Sequence, residues 1–154
     1  MAEKKIVIDA RIRRASSGRY TDRLLEHLQS VDTTNKYIVL LEPSDEWQPT
    51  SKNFKAVACK YRKFSLNLFQ QLAFSRFLYK LNQKLVHFTM TWQQPIFYFG
   101  KQLTTTHDLT MYKYARSGRL PNWVHLIRMP GYRHLSWQAH LLLPAGIDPT
   151  LTPL

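Results

Sequence analysis

The chain has 154 residues, 44% hydrophobic and 13% aromatic, a composition that excludes disorder for most of its length and suits one packed domain rather than two. No apolar run approaches the ~20 residues of a membrane-spanning helix, the start MAEKK leads into only three apolar residues before Asp9, and the single cysteine, Cys59, excludes an internal disulfide, so a cytoplasmic, reducing setting is expected. The net charge of +12 is uneven: residues 1–46 hold eight basic and eight acidic side chains, whereas 47–154 hold fourteen basic residues against Asp108 and Asp148, a field that attracts nucleic acid, a phosphate-bearing substrate or an anionic membrane surface.

Lys4 to Ala10 contains a short, nearly continuous apolar run, the pattern of a buried parallel strand. The basic and small residues Arg11 to Arg19 then predict a flexible loop, and from Asp22 the apolar positions 24, 25, 28 and 31 predict a helix. Asp32-Thr33-Thr34-Asn35 is a turn, Tyr37 to Leu41 a second buried strand, Glu42 to Asn53 an exposed loop and Phe54 to Cys59 a third strand. From Ser65, read as an N-cap, Leu66, Phe69, Leu72, Ala73, Phe77, Leu78 and Leu81 predict an amphipathic helix whose other face carries Arg76, Lys80 and Lys84. Leu85 to Phe88 and Gln102 to Thr106 read as further strands, separated by the aromatic loop Trp92 to Phe99. Beyond Asp108 a basic, turn-prone stretch, helical spacing over Trp123 to Trp137, a short strand at Leu141 to Leu143 and a divergent tail over 131–154 are expected.

This alternation predicts an α/β fold, a doubly wound, Rossmann-like three-layer sandwich with a mostly parallel sheet. Ligands of such sheets collect at the carboxyl ends of the strands, which singles out Asp9 and His87 at a cleft rim and His107 with Asp108 after the fifth strand. An imidazole there can donate a hydrogen bond or shuttle a proton, and Asp108 would orient it or cap the next segment; a surface histidine beside a structural aspartate is the plain alternative. Ser17, Gly18 and Arg19 lie where a helix N-terminus favours an anion, with Arg19 as a bidentate phosphate contact, although neither GxxxxGK[ST] nor GxGxxG is present and Gly18 equally fits a turn needing positive φ. The Ser65–Lys84 helix fits anionic lipid as well as an ordinary core-facing role. No spacing recommends a metal site, and no nucleic-acid-binding motif appears.

Taken together, Lys5-Ile-Val-Ile-Asp-Ala-Arg11, Ser17-Gly-Arg-Tyr-Thr21, Leu85-Val-His-Phe88 and Thr104-Thr-Thr-His-Asp-Leu-Thr110 resemble the N-terminal domain of GT-B glycosyltransferases of family 4, over about residues 4–125. The resemblance implies an acceptor-side domain of a retaining enzyme that uses a nucleotide-sugar as substrate, with no metal and no other cofactor. It further implies that Ser17, Gly18 and Arg19 lie near the donor diphosphate and that His107, with Asp108 beside it, faces the cleft. The family's second Rossmann-like domain carries a Glu-x7-Glu pair, whereas no glutamate follows Glu46 here, so a C-terminal domain in cis or trans is an expected partner. The acceptor implied is a glycan or a lipid-linked molecule at the inner face of the membrane. Pro144-Ala-Gly-Ile-Asp-Pro149 is similar to the family's later interdomain linker. The competing expectation is a non-catalytic basic module binding an anionic partner.

Overall fold

Four largely apolar runs form strands β1 (Lys5–Asp9), β2 (Lys36–Leu41), β3 (Phe54–Ala58) and β4 (Leu85–Phe88), the short, more polar β5 (Gln102–Thr104) adds an edge, and helices α1 (Gly18–Val31) and α2 (Leu68–Lys80) accompany them. The structure is a computed structural model that describes residues 3–15, 18–65, 67–90, 93–105 and 107, all within the first of the chain's two units, Met1–His107 and Asp108–Leu154. The elements expected beyond Asp108 therefore lie outside the described residues, as do Ser17, Leu66 and Trp92.

All neighbouring strands pair in parallel, in the order β3-β2-β1-β4-β5, the arrangement of a Rossmann-like α/β sheet. Strand alternation divides the core in two. Val7, Leu40, Val86 and Phe88 pack with Phe74 and Leu78 of α2, whereas Ile8, Val39 and Leu41 pack with Leu25 of α1. The helices thus cover opposite faces of the sheet. Fully burying each such aliphatic or aromatic side chain contributes about 1.5–3 kcal/mol, so these two clusters dominate the stability. Among the described residues the β2–β3 and β4–β5 connections contain no α-helix, and no helix is long and apolar enough to cross a membrane.

Local chemistry sets the helix ends, and two of them differ from expectation. Helix α1 begins at Gly18, four residues before the apolar periodicity becomes visible. At its other end Asp32 Oδ1 accepts from the amides of Thr34 and Asn35, while Oδ2 accepts from Asn35 Nδ2 and from the Tyr37 hydroxyl at 2.6 Å. These four bonds hold the Asp32 carboxyl well below its usual range and tie the helix exit to the start of β2.

The N-cap of α2 is Asn67, whose side chain accepts from the amides of Phe69 and Gln70, rather than Ser65, whose hydroxyl instead receives the Asn67 amide. The register of α2 also departs from the expected stripe. Phe74, Ser75 and Leu78 face the core, while Leu68, Phe69 and Leu72 stand outside with Arg76 and Lys80. Aromatic and aliphatic residues occur on both sides of this helix, so periodicity alone does not select its buried face. After Lys80 the chain turns through Asn82, whose φ of 48° lies in the left-handed region that Asn tolerates, and enters β4.

Candidate functional site at the β1–β4 switch point

With β2 and β3 on one side of β1 and β4 and β5 on the other, the connections leave in opposite directions at β1 and β4. A crevice opens outside the carboxyl ends of strands at such a point. Alternation along β4 sends Val86 and Phe88 to the α2 side and His87 to the α1 side, where its Nε2 lies 2.9 Å from Thr105 Oγ1, just beyond β5. The Thr105 hydroxyl is also 3.1 Å from that of Tyr20, in the first turn of α1. The Tyr20 ring meets His107 edge-on, at 4.9 Å between centroids. Residues 85 positions apart in sequence thereby form a connected row: His87, Thr105, Tyr20, His107.

His107 Nε2 lies 2.8 Å from the backbone carbonyl of Thr89, which can only accept. That geometry puts the proton of the neutral ring on Nε2 and leaves Nδ1 as the nitrogen with a lone pair for a ligand. His87 differs. Burial lowers its pKa from 6.5 to about 4, so at neutral pH it is an uncharged hydrogen-bonding group. Its place in the row is that of a support for Thr105 and, through it, for Tyr20.

Asp9 is not at an open rim. Its side chain and that of Arg11 are both 0% exposed, paired by Nη2–Oδ2 at 2.5 Å and Nε–Oδ1 at 2.8 Å. Arg11 also donates to the Tyr61 carbonyl at 2.9 Å and lies 4.2 Å over the Phe74 ring. Burial opposes the guanidinium charge, but the field and hydrogen bonds of Asp9 outweigh it, and the Arg11 pKa is raised. Gln93 Nε2 donates to Asp9 Oδ1, and the Thr89 hydroxyl donates to the Asp9 carbonyl at 2.7 Å. The pair is therefore a brace that holds the end of β1 against residue 89, and so steadies the carbonyl on which His107 rests.

The basic loop after β1 is mostly consumed in the same way. Arg13 bridges Asp22 at 2.5 Å and Asp45 at 2.8 Å, and Arg14 donates to the Ser44 carbonyl. Residues 10–15 are wound by hydrogen bonds from the Arg13 amide to the Ala10 carbonyl and from the Ala15 amide to the Ile12 carbonyl, and the Gly18 amide donates to the Ala15 carbonyl. Arg19 is exposed and makes no hydrogen bond or ion pair with the described residues, which leaves it as the cation of this loop available to an anion.

Gly18 does not have positive φ, so the turn explanation for it fails. The glycine is required by close approach, because a Cβ built there would run into the backbone carbonyl of Arg13. The first turn of α1, and Tyr20 with it, sits where it does because residue 18 has no side chain.

The structure thus joins His87 and His107, places Gly18 and Arg19 at the head of the adjoining helix, and buries the Asp9 carboxylate. Ser17 and Asp108 lie outside the described residues. Tyr20, Thr89 and Thr105 were not singled out by sequence reasoning. The available signals were the Thr104-Thr105-Thr106 run before His107 and an aromatic directly after Arg19. Among the described residues no group of three or more His, Cys, Asp or Glu is placed to hold a metal ion. No protein-family model, curated protein or solved structure matches this chain.

Proposed function

We propose that the chain is the acceptor-side domain of a retaining glycosyltransferase that transfers a sugar from a nucleotide-sugar to a glycan or lipid-linked acceptor, the donor being held by a further domain in cis or in trans. The observation that carries this reading is His107 at the switch point, anchored through Nε2 with Nδ1 left for a ligand, beside the first turn of α1 and the exposed Arg19. In this reading Arg19 and the head of α1 meet the donor diphosphate, whose charge suits both the guanidinium and the helix end. His107 is the polar group nearest the reacting sugar. Tyr20 limits its ring to one orientation, and His87 with Thr105 holds Tyr20. The Rossmann-like sheet and the four quoted sequence segments support the assignment; the chemistry required of the protein is positioning and electrostatic stabilisation rather than a metal-assisted step.

The test is transfer of labelled sugar to a lipid-linked acceptor with the donor-binding domain supplied. His107→Ala is expected to lower kcat at least about hundredfold, the usual worth of a positioned polar or proton-transferring side chain, with the melting temperature retained. An unchanged kcat in that variant would remove His107 from the mechanism.

A further inference from the structure

We propose that the outward stripe of α2, together with the Ile96–Phe99 segment, is a docking surface for an anionic lipid bilayer. Residues that a core would normally take stand in solvent here. Phe69 is 85% exposed, Phe99 83% and Leu68 61%, and Phe64, Leu72 and Ile96 are each about half exposed. Single exposed apolar side chains are ordinary, but these are gathered. The Ile96 amide donates to Gln71 Oε1 at 3.1 Å and the Phe99 amide to the Tyr79 hydroxyl at 2.8 Å. Both helix partners belong to α2, two turns apart, so the segment from 96 to 99 runs beside the helix and adds its apolar side chains to those of the stripe.

Charge identifies the occupant. Leu72, Arg76 and Lys80 follow one another at steps of four on the exposed side of α2, and Lys84 comes next in sequence. Between Glu46 and Asp108 there are nine basic residues and no acidic one. Of the nine, Lys63 is taken by Glu42 at 2.9 Å. Arg76 and Lys80 form no ion pair with the described residues, and an apolar group rimmed by such cations on one helix side is the arrangement that sits at the boundary of acyl chains and anionic headgroups, the aromatic and aliphatic side chains entering and the cations meeting phosphate. A second copy of this chain fits less well, because a two-fold contact through this face would bring its cations against themselves. Helix α2 starts at the carboxyl end of the sheet, since it is the next element after β3, and the turn with its exposed apolar residues, Leu68 to Leu72, is therefore at the end of the sheet where the switch point lies. This inference does not depend on the glycosyltransferase reading, and it is measured without any sugar substrate.

The experiment is sedimentation of the full chain with vesicles of phosphatidylcholine alone and of phosphatidylcholine with 30% phosphatidylglycerol, at about 0.1 M and 1 M salt. Binding to the anionic vesicles only, lost at high salt, is expected. Arg76→Gln with Lys80→Gln, and separately Phe69→Ser with Phe99→Ser, are each expected to weaken partitioning roughly tenfold or more while keeping the unfolding midpoint, because all four positions are exposed. Hydrogen exchange on the wild-type chain supplies an independent reading, with new protection expected over 68–80 and 95–99 when anionic vesicles are added. Equal binding to neutral vesicles, no binding, protection confined to other segments, or undiminished binding of the Phe69→Ser, Phe99→Ser variant overturns the proposal. So does a dimer abolished by that variant, or a salt-dependent complex with a random oligonucleotide where anionic vesicles give none.

Discussion

Replacing Gly18 with alanine sets two physical effects against each other and separates them by sign. Gly18 has ordinary negative φ within α1, so backbone entropy and helix propensity alone predict that Gly18→Ala stabilises the fold by about 0.4–1 kcal/mol. The packing predicts the reverse. A Cβ at this position meets the carbonyl oxygen and carbon of Arg13, backbone atoms that cannot swing away as a side-chain tip would. To admit it, either the head of α1 must lift or the Arg13 backbone must move, straining the hydrogen bond of 2.9 Å from the Gly18 amide to the Ala15 carbonyl and the Arg13 bridges to Asp22 and Asp45. Overpacking of this kind costs about 1–3 kcal/mol, and a rigid backbone obstacle places it at the upper end, so the net effect after the propensity gain is a loss of about 2 kcal/mol. In urea that is a fall of about 1 M in the unfolding midpoint, for a domain with a slope of about 2 kcal/mol per molar. Arg19→Ala, one residue on and exposed, serves as the control and should stay within about 0.5 kcal/mol. A second reading comes from NMR. Lifting the first turn moves Tyr20 off His107, so the ring-current shift of the His107 protons should collapse toward that of Tyr20→Ala. If Gly18→Ala matches or exceeds the wild-type midpoint, close approach is not why glycine stands there, and the account of how Tyr20 is placed falls with it.

The buried ion pair makes a comparably sharp forecast. Asp9→Asn leaves the Arg11 guanidinium in the core without its counter-ion and should cost about 3–5 kcal/mol in urea unfolding, whereas Asp9→Leu combined with Arg11→Met should cost less than the single change; the opposite ranking would refute the brace. For His87 the folded value near 4 lies below the unfolded 6.5, so the unfolded state binds the extra proton between those limits and stability falls as pH drops from 6.5 toward 4. The loss has an upper bound of roughly 3.5 kcal/mol at about 1.4 kcal/mol for each pH unit between the two values, and a His87→Gln variant whose stability falls just as steeply over that window would contradict the assignment. Asn67→Ala should cost about 1 kcal/mol and Ser65→Ala clearly less, as read by thermal unfolding; equal costs would return the cap of α2 to Ser65.

How much of this was legible in the linear chain differs from element to element. Strands announce themselves locally, because a run such as Ile6-Val7-Ile8 or Tyr37 to Leu41 is apolar on both faces and has few ways to be buried other than inside a parallel sheet. The parallel α/β architecture follows from such runs and their spacing, and with it the end of the sheet where His87 and His107 gather. Helix boundaries and rotations are different in kind. In α2, apolar residues stand on both sides, so Phe69 and Leu72 went outside and Phe74 and Leu78 inside only when the sheet presented a surface to fit. The head of α1 was hidden for a related reason: the small residues before it resemble a loop, and only the proximity of the Arg13 carbonyl shows why Gly18 must be one of them.

Tertiary structure alone decided which charges are spent and which remain. Asp9 and Arg11 are two residues apart and look like exposed polar residues after a strand, yet the fold turns both inward, because Tyr61 and Phe74 bring a carbonyl and a ring face to the guanidinium across more than 40 residues of chain. Tyr20 and Thr105 carried no role of their own in the sequence, and their contact exists because β5 ends beside the helix that follows β1. Periodicity reports how often a residue type recurs along the backbone, and it sets burial only where a single face is apolar. The pairing of polar groups across the sheet depends on distances that only the closed fold defines.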